Sequence, residues 1–163
     1  MVLTCLGLYA HWPSEPLPPG TQADRILVLK GERKMQLLNQ GQVIREYTVA
    51  LGRDPVGTKR REGDNKTPEG VYFLEERTGP EESRYHSSVQ TTYPNEEDKA
   101  ISKSMGVPPG GMISIHSLRN DMFFFGRFHR LVDWTRGCIA INTWEIDELL
   151  RVTKDGTPIE IRP

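Results

Sequence analysis

Asp133-Trp134-Thr135-Arg136-Gly137-Cys138-Ile139-Ala140-Ile141-Asn142 passes from a tight polar turn into a short apolar run. A structural cysteine is usually embedded in apolar sequence, whereas Cys138 stands at the polar edge of such a run, directly after a glycine. Upstream, Met112-Ile113-Ser114-Ile115 alternates in the manner of a half-buried strand and delivers His116 at its end. A cysteine and a histidine placed at two strand ends form the nucleophile-plus-base constellation of thiol acyl transfer. Arg136, two residues before Cys138, offers fixed positive charge to a thiolate. Gly137 allows the backbone to turn so that the amides of Gly137 and Cys138 face a developing oxyanion. His129 lies nine residues before the cysteine and is a rival base.

Outward from this stretch, the C-terminal side reads cleanly. Asn142-Thr143-Trp144-Glu145 has the pattern of a capping box. Ile146, Leu149 and Leu150 then follow at helical spacing, Asp155-Gly156 marks a turn, and residues 157–161 form a closing strand. On the N-terminal side the pattern is a meander. Strands are expected over 25–29, 34–38 and 42–49, with Gly41 supplying a positive φ in the turn 39–42.

A long polar loop over 52–70 gives way to a strand at 71–74, a second loop spans 78–88, and 87–93 is β-prone. Pro94-Asn95-Glu96-Glu97-Asp98 opens a short helix with acidic residues in its first turn. Met122-Phe123-Phe124-Phe125-Gly126 is expected to be core or semi-buried packing, with a groove wall as the alternative. The 52–70 loop and residues 122–130 are the expected walls of a substrate groove.

At 163 residues with 36% hydrophobic content, the chain is long enough for one domain with one core. Twenty-one basic and 22 acidic residues leave a net charge of −1, and the basic triplet Lys59-Arg60-Arg61 is followed at once by Glu62 and Asp64. That triplet reads as a solvated loop, and nucleic-acid binding finds no support. The two cysteines, Cys5 and Cys138, make no disulfide framework, and a bridge between them would silence the candidate nucleophile. The four histidines are scattered and no C-x-x-C or H-x-x-x-H spacing exists, so zinc is not expected.

Residues 2–10 are largely apolar but fall short of the about 20 residues a bilayer span needs, and they lack a basic flank. They read equally as the tail of a signal or anchor segment and as an N-terminal strand. Pro13, Pro16, Pro18 and Pro19 follow as a stiff extended spacer. Residues 1–23 are therefore set apart from a folded domain over 24–163. A membrane tether through the N-terminus and a place in the cell envelope, periplasmic or extracytoplasmic, are the expectation.

Ile115-His116-Ser117 together with Thr135-Arg136-Gly137-Cys138-Ile139 resembles the L,D-transpeptidase catalytic domain (YkuD type). Val49-Ala50-Leu51-Gly52, Thr67-Pro68-Glu69-Gly70-Val71-Tyr72 and Asp155-Gly156-Thr157-Pro158-Ile159-Glu160-Ile161 are similar to further segments of that family. The resemblance runs from about Asp24 to the C-terminus. It implies a mainly β fold, a sandwich or open barrel with one or two short helices. It also implies acyl transfer on peptidoglycan stem peptides, with no metal and no organic cofactor. The cysteine attacks the carbonyl between an L- and a D-centre of a tetrapeptide, D-alanine leaves, and a thioester forms. An amine on a second stem or on a lipoprotein resolves it. Water as acceptor makes the enzyme a carboxypeptidase or amidase instead. A non-catalytic peptidoglycan-binding domain is the reading of another class.

Carried onto this chain, the resemblance makes Cys138 the nucleophile and His116 its base. Gly137, Arg136 and Ser117 become oxyanion or orienting residues, and Thr135, Trp134 and Tyr93 candidate substrate contacts. Arg136 replaces the family's common histidine before Gly-Cys, and Ala140 replaces a common arginine that could anchor a substrate carboxylate. The 22-residue separation of His116 and Cys138 is longer than usual in the family.

Overall fold

A computed structural model describes residues 14–82 and 84–163. Eight strands form a single sheet in the order β3-β2-β1-β8-β4-β5-β6-β7. The strands are β1 (Arg25–Leu29), β2 (Lys34–Asn39), β3 (Gln42–Thr48), β4 (Gly70–Thr78), β5 (Ser88–Thr91), β6 (Ser114–His116), β7 (Ile139–Ala140) and β8 (Pro158–Arg162). Two α-helices, α1 (Glu96–Ser104) and α2 (Thr143–Val152), and a kinked 3₁₀ segment over Asn120–Leu131 complete the chain. The mainly β, open-barrel expectation matches this architecture.

The β2–β3 hairpin turns on Gln40 and Gly41, with φ of 50° and 78°. Two successive positive φ angles make the type I′ geometry that matches strand twist, and Asn39 accordingly pairs with Gln42. The closing strand β8 lies between β1, to which it is parallel, and β4, to which it is antiparallel. It thereby joins the N-terminal meander to the half of the sheet that carries Cys138.

The sheet curls until its two edges meet. Beyond β3, Ala50 exchanges both backbone bonds with Ala140 of β7, at 3.0 and 2.8 Å, and Gly52 bridges to Thr135. Curling satisfies backbone groups that an open edge would leave for another chain. It also gives the sheet an inner face. Ile26, Val28, Met35, Leu37, Tyr72, Leu74, Val89, Ile159 and Ile161 alternate along their strands and are buried there. Helix α2 closes one end with Ile146, Leu149 and Val152, a stripe three residues apart. Each such side chain contributes about 1.5–3 kcal/mol when fully buried.

Glu145 ties α2 to this frame. Its carboxylate accepts from the Asn142 N–H at 2.8 Å, which is one half of the expected capping box, and from Arg130 Nη1 at 2.8 Å. Arg130 Nη1 also donates to Thr48 O. Burial pushes the Glu145 carboxyl up, and the Arg130 guanidinium opposes that. Glu145→Ala should therefore cost about 3–5 kcal/mol, because it leaves a buried guanidinium without its counter-charge. Urea unfolding measures this, and a change below about 1 kcal/mol would show that water takes over the pairing.

Several expectations fail locally. The Phe123–Phe125 run is not core: its three rings are 63%, 59% and 43% exposed. The 3₁₀ segment kinks at Gly126 (φ 49°, ψ −138°) and buries Gly126 and His129 instead. Lys59 is not solvated but 4% exposed, its ammonium held by Asp64 Oδ1 at 2.9 Å and the Arg61 carbonyl at 3.0 Å.

The stretch from 14 to 20 is not a free spacer. The Leu17 N–H donates to Glu148 and the Leu17 carbonyl accepts from Arg151. Cys5 and the apolar run 2–10 lie outside the described residues. Among the described residues no helix is long and apolar enough to cross a membrane.

Candidate active site

Parallel pairing of β6 with β7 sets Ile115 against Ile139 and His116 against Ala140. In this register Cys138 stands opposite Ser114, two positions before His116, so the parallel pairing sets Cys138 and His116 on the same face of neighbouring strands. Both line a cleft of about 370 Å³, together with Arg84, Tyr85, Gln90, Met112 and Ser114.

The turn before Cys138 is held by Thr135, whose hydroxyl donates to the Cys138 carbonyl at 2.7 Å and accepts from the Gly137 N–H at 3.0 Å. Gly137 has φ +135°, and a Cβ there would lie 2.6 Å from the Lys66 carbonyl oxygen. Only glycine permits both that backbone angle and that approach.

Cys138 is a free thiol. Its S–H faces the Met112 carbonyl at 3.5 Å. Burial pushes its pKa up, while the Ser114 N–H and the charge of Lys59 pull it down. His116 is 2% exposed. Its Nδ1 lies 2.6 Å from the Ser117 carbonyl, and only a protonated nitrogen can donate to a carbonyl, so Nε2 carries the free lone pair. The ring stacks on Tyr85 at 4.1 Å and meets Trp134 edge-on at 5.7 Å. Burial lowers its pKa to about 4, and Arg84 adds to that effect. At neutral pH the pair is thus thiol and imidazole, which suits proton removal during attack better than a resting ion pair.

The other residues singled out by sequence fall in different places. Ser117 is buried and acts through its backbone carbonyl. The Gly137 N–H is engaged by the Thr135 hydroxyl, so of that pair the Cys138 amide is the candidate oxyanion donor. Arg136 is exposed, and the cation that bears on the thiol is Lys59. Thr135 is a buried turn residue rather than a substrate contact.

Tyr93 lies in the core, edge-on to Tyr72, with its hydroxyl donating to Pro109 O. Trp134 separates the two histidines: it meets His116 edge-on and donates from Nε1 to His129 Nδ1 at 3.2 Å. His129 is buried behind it, pushed down to about 4 by burial, and does not line the cleft.

Sequence reasoning missed Tyr85, Arg84, Ser114 and Lys59. Tyr85 and Arg84 sit in a stretch that reads as an ordinary polar loop, and the Ser114 contribution is a backbone amide with no side-chain signature.

A family model described as the L,D-transpeptidase catalytic domain (YkuD) matches residues 23–161. YafK of Escherichia coli (strain K12), provisionally named an L,D-transpeptidase, is 32% identical over 79 residues, 46% of this chain and 32% of its own. Among solved structures, the helical cell shape determining protein Pgp2 from Campylobacter jejuni superposes with a TM-score of 0.67 at 26% identity, over 88% of this chain and 48% of that one. Bd1075 of Bdellovibrio bacteriovorus gives 0.60 at 29% identity, over 94% and 52%. The chain therefore spans about half the length of these structures and a third of the E. coli relative. An Ldtfm carbamoyl enzyme formed with avibactam shares the fold at 16% identity, with a TM-score of 0.57.

Proposed function

Because the chain belongs to the L,D-transpeptidase catalytic domain (YkuD) family, we propose that it performs cysteine-dependent acyl transfer on peptidoglycan stem peptides in the cell envelope. The observation that carries this reading is the shared cleft of Cys138 and a His116 whose Nδ1 is committed to Ser117.

In the proposed reaction His116 Nε2 takes the thiol proton as Cys138 Sγ attacks the carbonyl that precedes the terminal D-residue. The Cys138 amide N–H faces the oxyanion. His116 returns the proton to the departing amine, D-alanine leaves, and the acyl group remains as a thioester. An amine on a second stem, or on a lipoprotein, then attacks the thioester; hydrolysis is the same step with water. The likeness to a cell shape determining protein supports a role in wall remodelling. The N-terminal segment as a membrane tether belongs to the same proposal.

Mass spectrometry of the protein mixed with a stem tetrapeptide tests this. Wild type should gain the mass of the acyl-tripeptide. A cross-linked dimer as product assigns transfer, and free tripeptide assigns hydrolysis. Neither adduct nor product from a folded sample rejects the catalytic reading in favour of a binding domain.

A further inference from the structure

A second cavity, of about 450 Å³, lies beside the Cys138 cleft and is lined by His86, Leu118, Phe123, Asn142, Trp144 and Asp147, with neighbouring residues. Its volume falls within the about 300–1,000 Å³ usual for small-molecule sites. Tyr85 lines the cleft and the next residue, His86, lines the cavity. Nothing in the reaction above uses this space.

Its chemistry is mixed. Phe123 and Trp144 present aromatic surface. The Asp147 carboxylate is hydrogen-bonded by His86 Nε2 at 3.0 Å. Asn142, 3% exposed at the start of α2, is directed at the Glu145 N–H and the His129 ring. The Trp144 indole N–H is buried without a hydrogen-bond partner.

We propose that this cavity binds a sugar residue of the glycan strand that carries the stem peptide, which makes it a glycan subsite of the acyl donor. The inference rests on the acyl-transfer reading. A neutral N-acetylated hexosamine offers a C–H face to the aromatic rings, and hydroxyl and acetamido groups to the His86 and Asp147 side chains that line the cavity. Asp147 is already partnered by His86, so the site favours an uncharged polar ligand over an ion. The geometry of the substrate agrees: the tripeptide between the scissile carbonyl and the sugar spans about 10 Å when extended. A chain of that reach, acylated on Cys138, leads from the cleft at Tyr85 towards the cavity at His86.

The test uses the peptide-free N-acetylglucosaminyl-N-acetylmuramic acid disaccharide and the full chain. Titration followed by NMR should shift the Trp144 indole N–H and the Asp147 amide, with millimolar affinity. Phe123→Ala and Asp147→Ala should abolish those shifts. With turnover, the ratio of kcat/KM for disaccharide-tetrapeptide over free tetrapeptide should be about 10 in wild type and fall towards about 1 in both variants.

Absence of shifts at millimolar disaccharide, shifts confined to the Cys138 cleft, or an unchanged ratio in the variants would each overturn the proposal. So would saturation of the cavity by a free stem peptide in place of the sugar, which would make it an acceptor site. The binding arm needs no turnover, so an inactive protein that still binds disaccharide condemns the reaction and not the subsite.

Discussion

Cys138→Ala is expected to remove turnover down to the uncatalysed floor, a loss of about 10⁴-fold or more in kcat, with the fold intact. The physical case is that the proposed route has one covalent acceptor. Alanine supplies no electron pair for the acyl group, and no other group lining the cleft is an activated thiol. The structural cost is small because the sulfur's contacts are weak ones, a long S–H contact to Met112 O and the Ser114 N–H, and it lines the cleft. A melting temperature within a few degrees of wild type should accompany the loss, as expected for a substitution below about 1 kcal/mol. Two readouts check it: tripeptide or dimer release, and acylation of the protein by a carbapenem, each seen by mass. Persistence of either in the alanine variant would reassign the nucleophile.

The reason this residue was legible in sequence is local. A thiol at the polar edge of an apolar run, after a glycine, carries its own signal, and the φ of +135° at Gly137 shows why the glycine is needed. The strands were legible for a similar reason: one-faced burial leaves a period of two, and positive φ at Gly41 fixes the hairpin.

What sequence could not supply was competition for space. Phe123-Phe124-Phe125 is apolar enough for a core, but Ile146, Leu149 and Val152 of α2 already close the barrel end, and the Gly126 kink turns the rings out. Lys59 reads as surface, yet Asp64 five residues on folds back to bury it. Arg136 is near Cys138 in sequence and exposed in space, whereas Lys59 is distant in sequence and bears on the sulfur. Proximity along the chain is a poor guide wherever a loop must return across the fold. Tyr93 failed for the same reason: a β-prone tyrosine near a candidate groove found its partner in Tyr72.

The pH dependence of His116 separates the two ways this pair can work. His116→Gln keeps a planar side chain and an N–H that can reach the Ser117 carbonyl, but it removes the base. At neutral pH kcat should fall by about 10²–10⁴-fold, the usual contribution of a positioned base. In the proposed reaction the base is the neutral imidazole, whose pKa burial has lowered to about 4. It therefore accepts a proton at any pH above that value and fails below it, so the acid limb of kcat/KM should lie near 4 and not near the ordinary histidine value of about 6.5. The glutamine variant has only the thiolate that titration supplies. Since burial pushes the Cys138 thiol up, its residual rate should climb about tenfold per pH unit through neutrality, where wild type is flat. The same depressed pKa makes the folded state lose stability as pH falls from about 6.5 through 4, because the unfolded chain then binds the proton more readily. Circular dichroism at each pH separates that loss from the catalytic limb. An acid limb near 6.5 in a fully folded enzyme would mean a solvated base. Retention of activity in His116→Gln with loss in His129→Gln would move the role across the Trp134 ring to the second histidine.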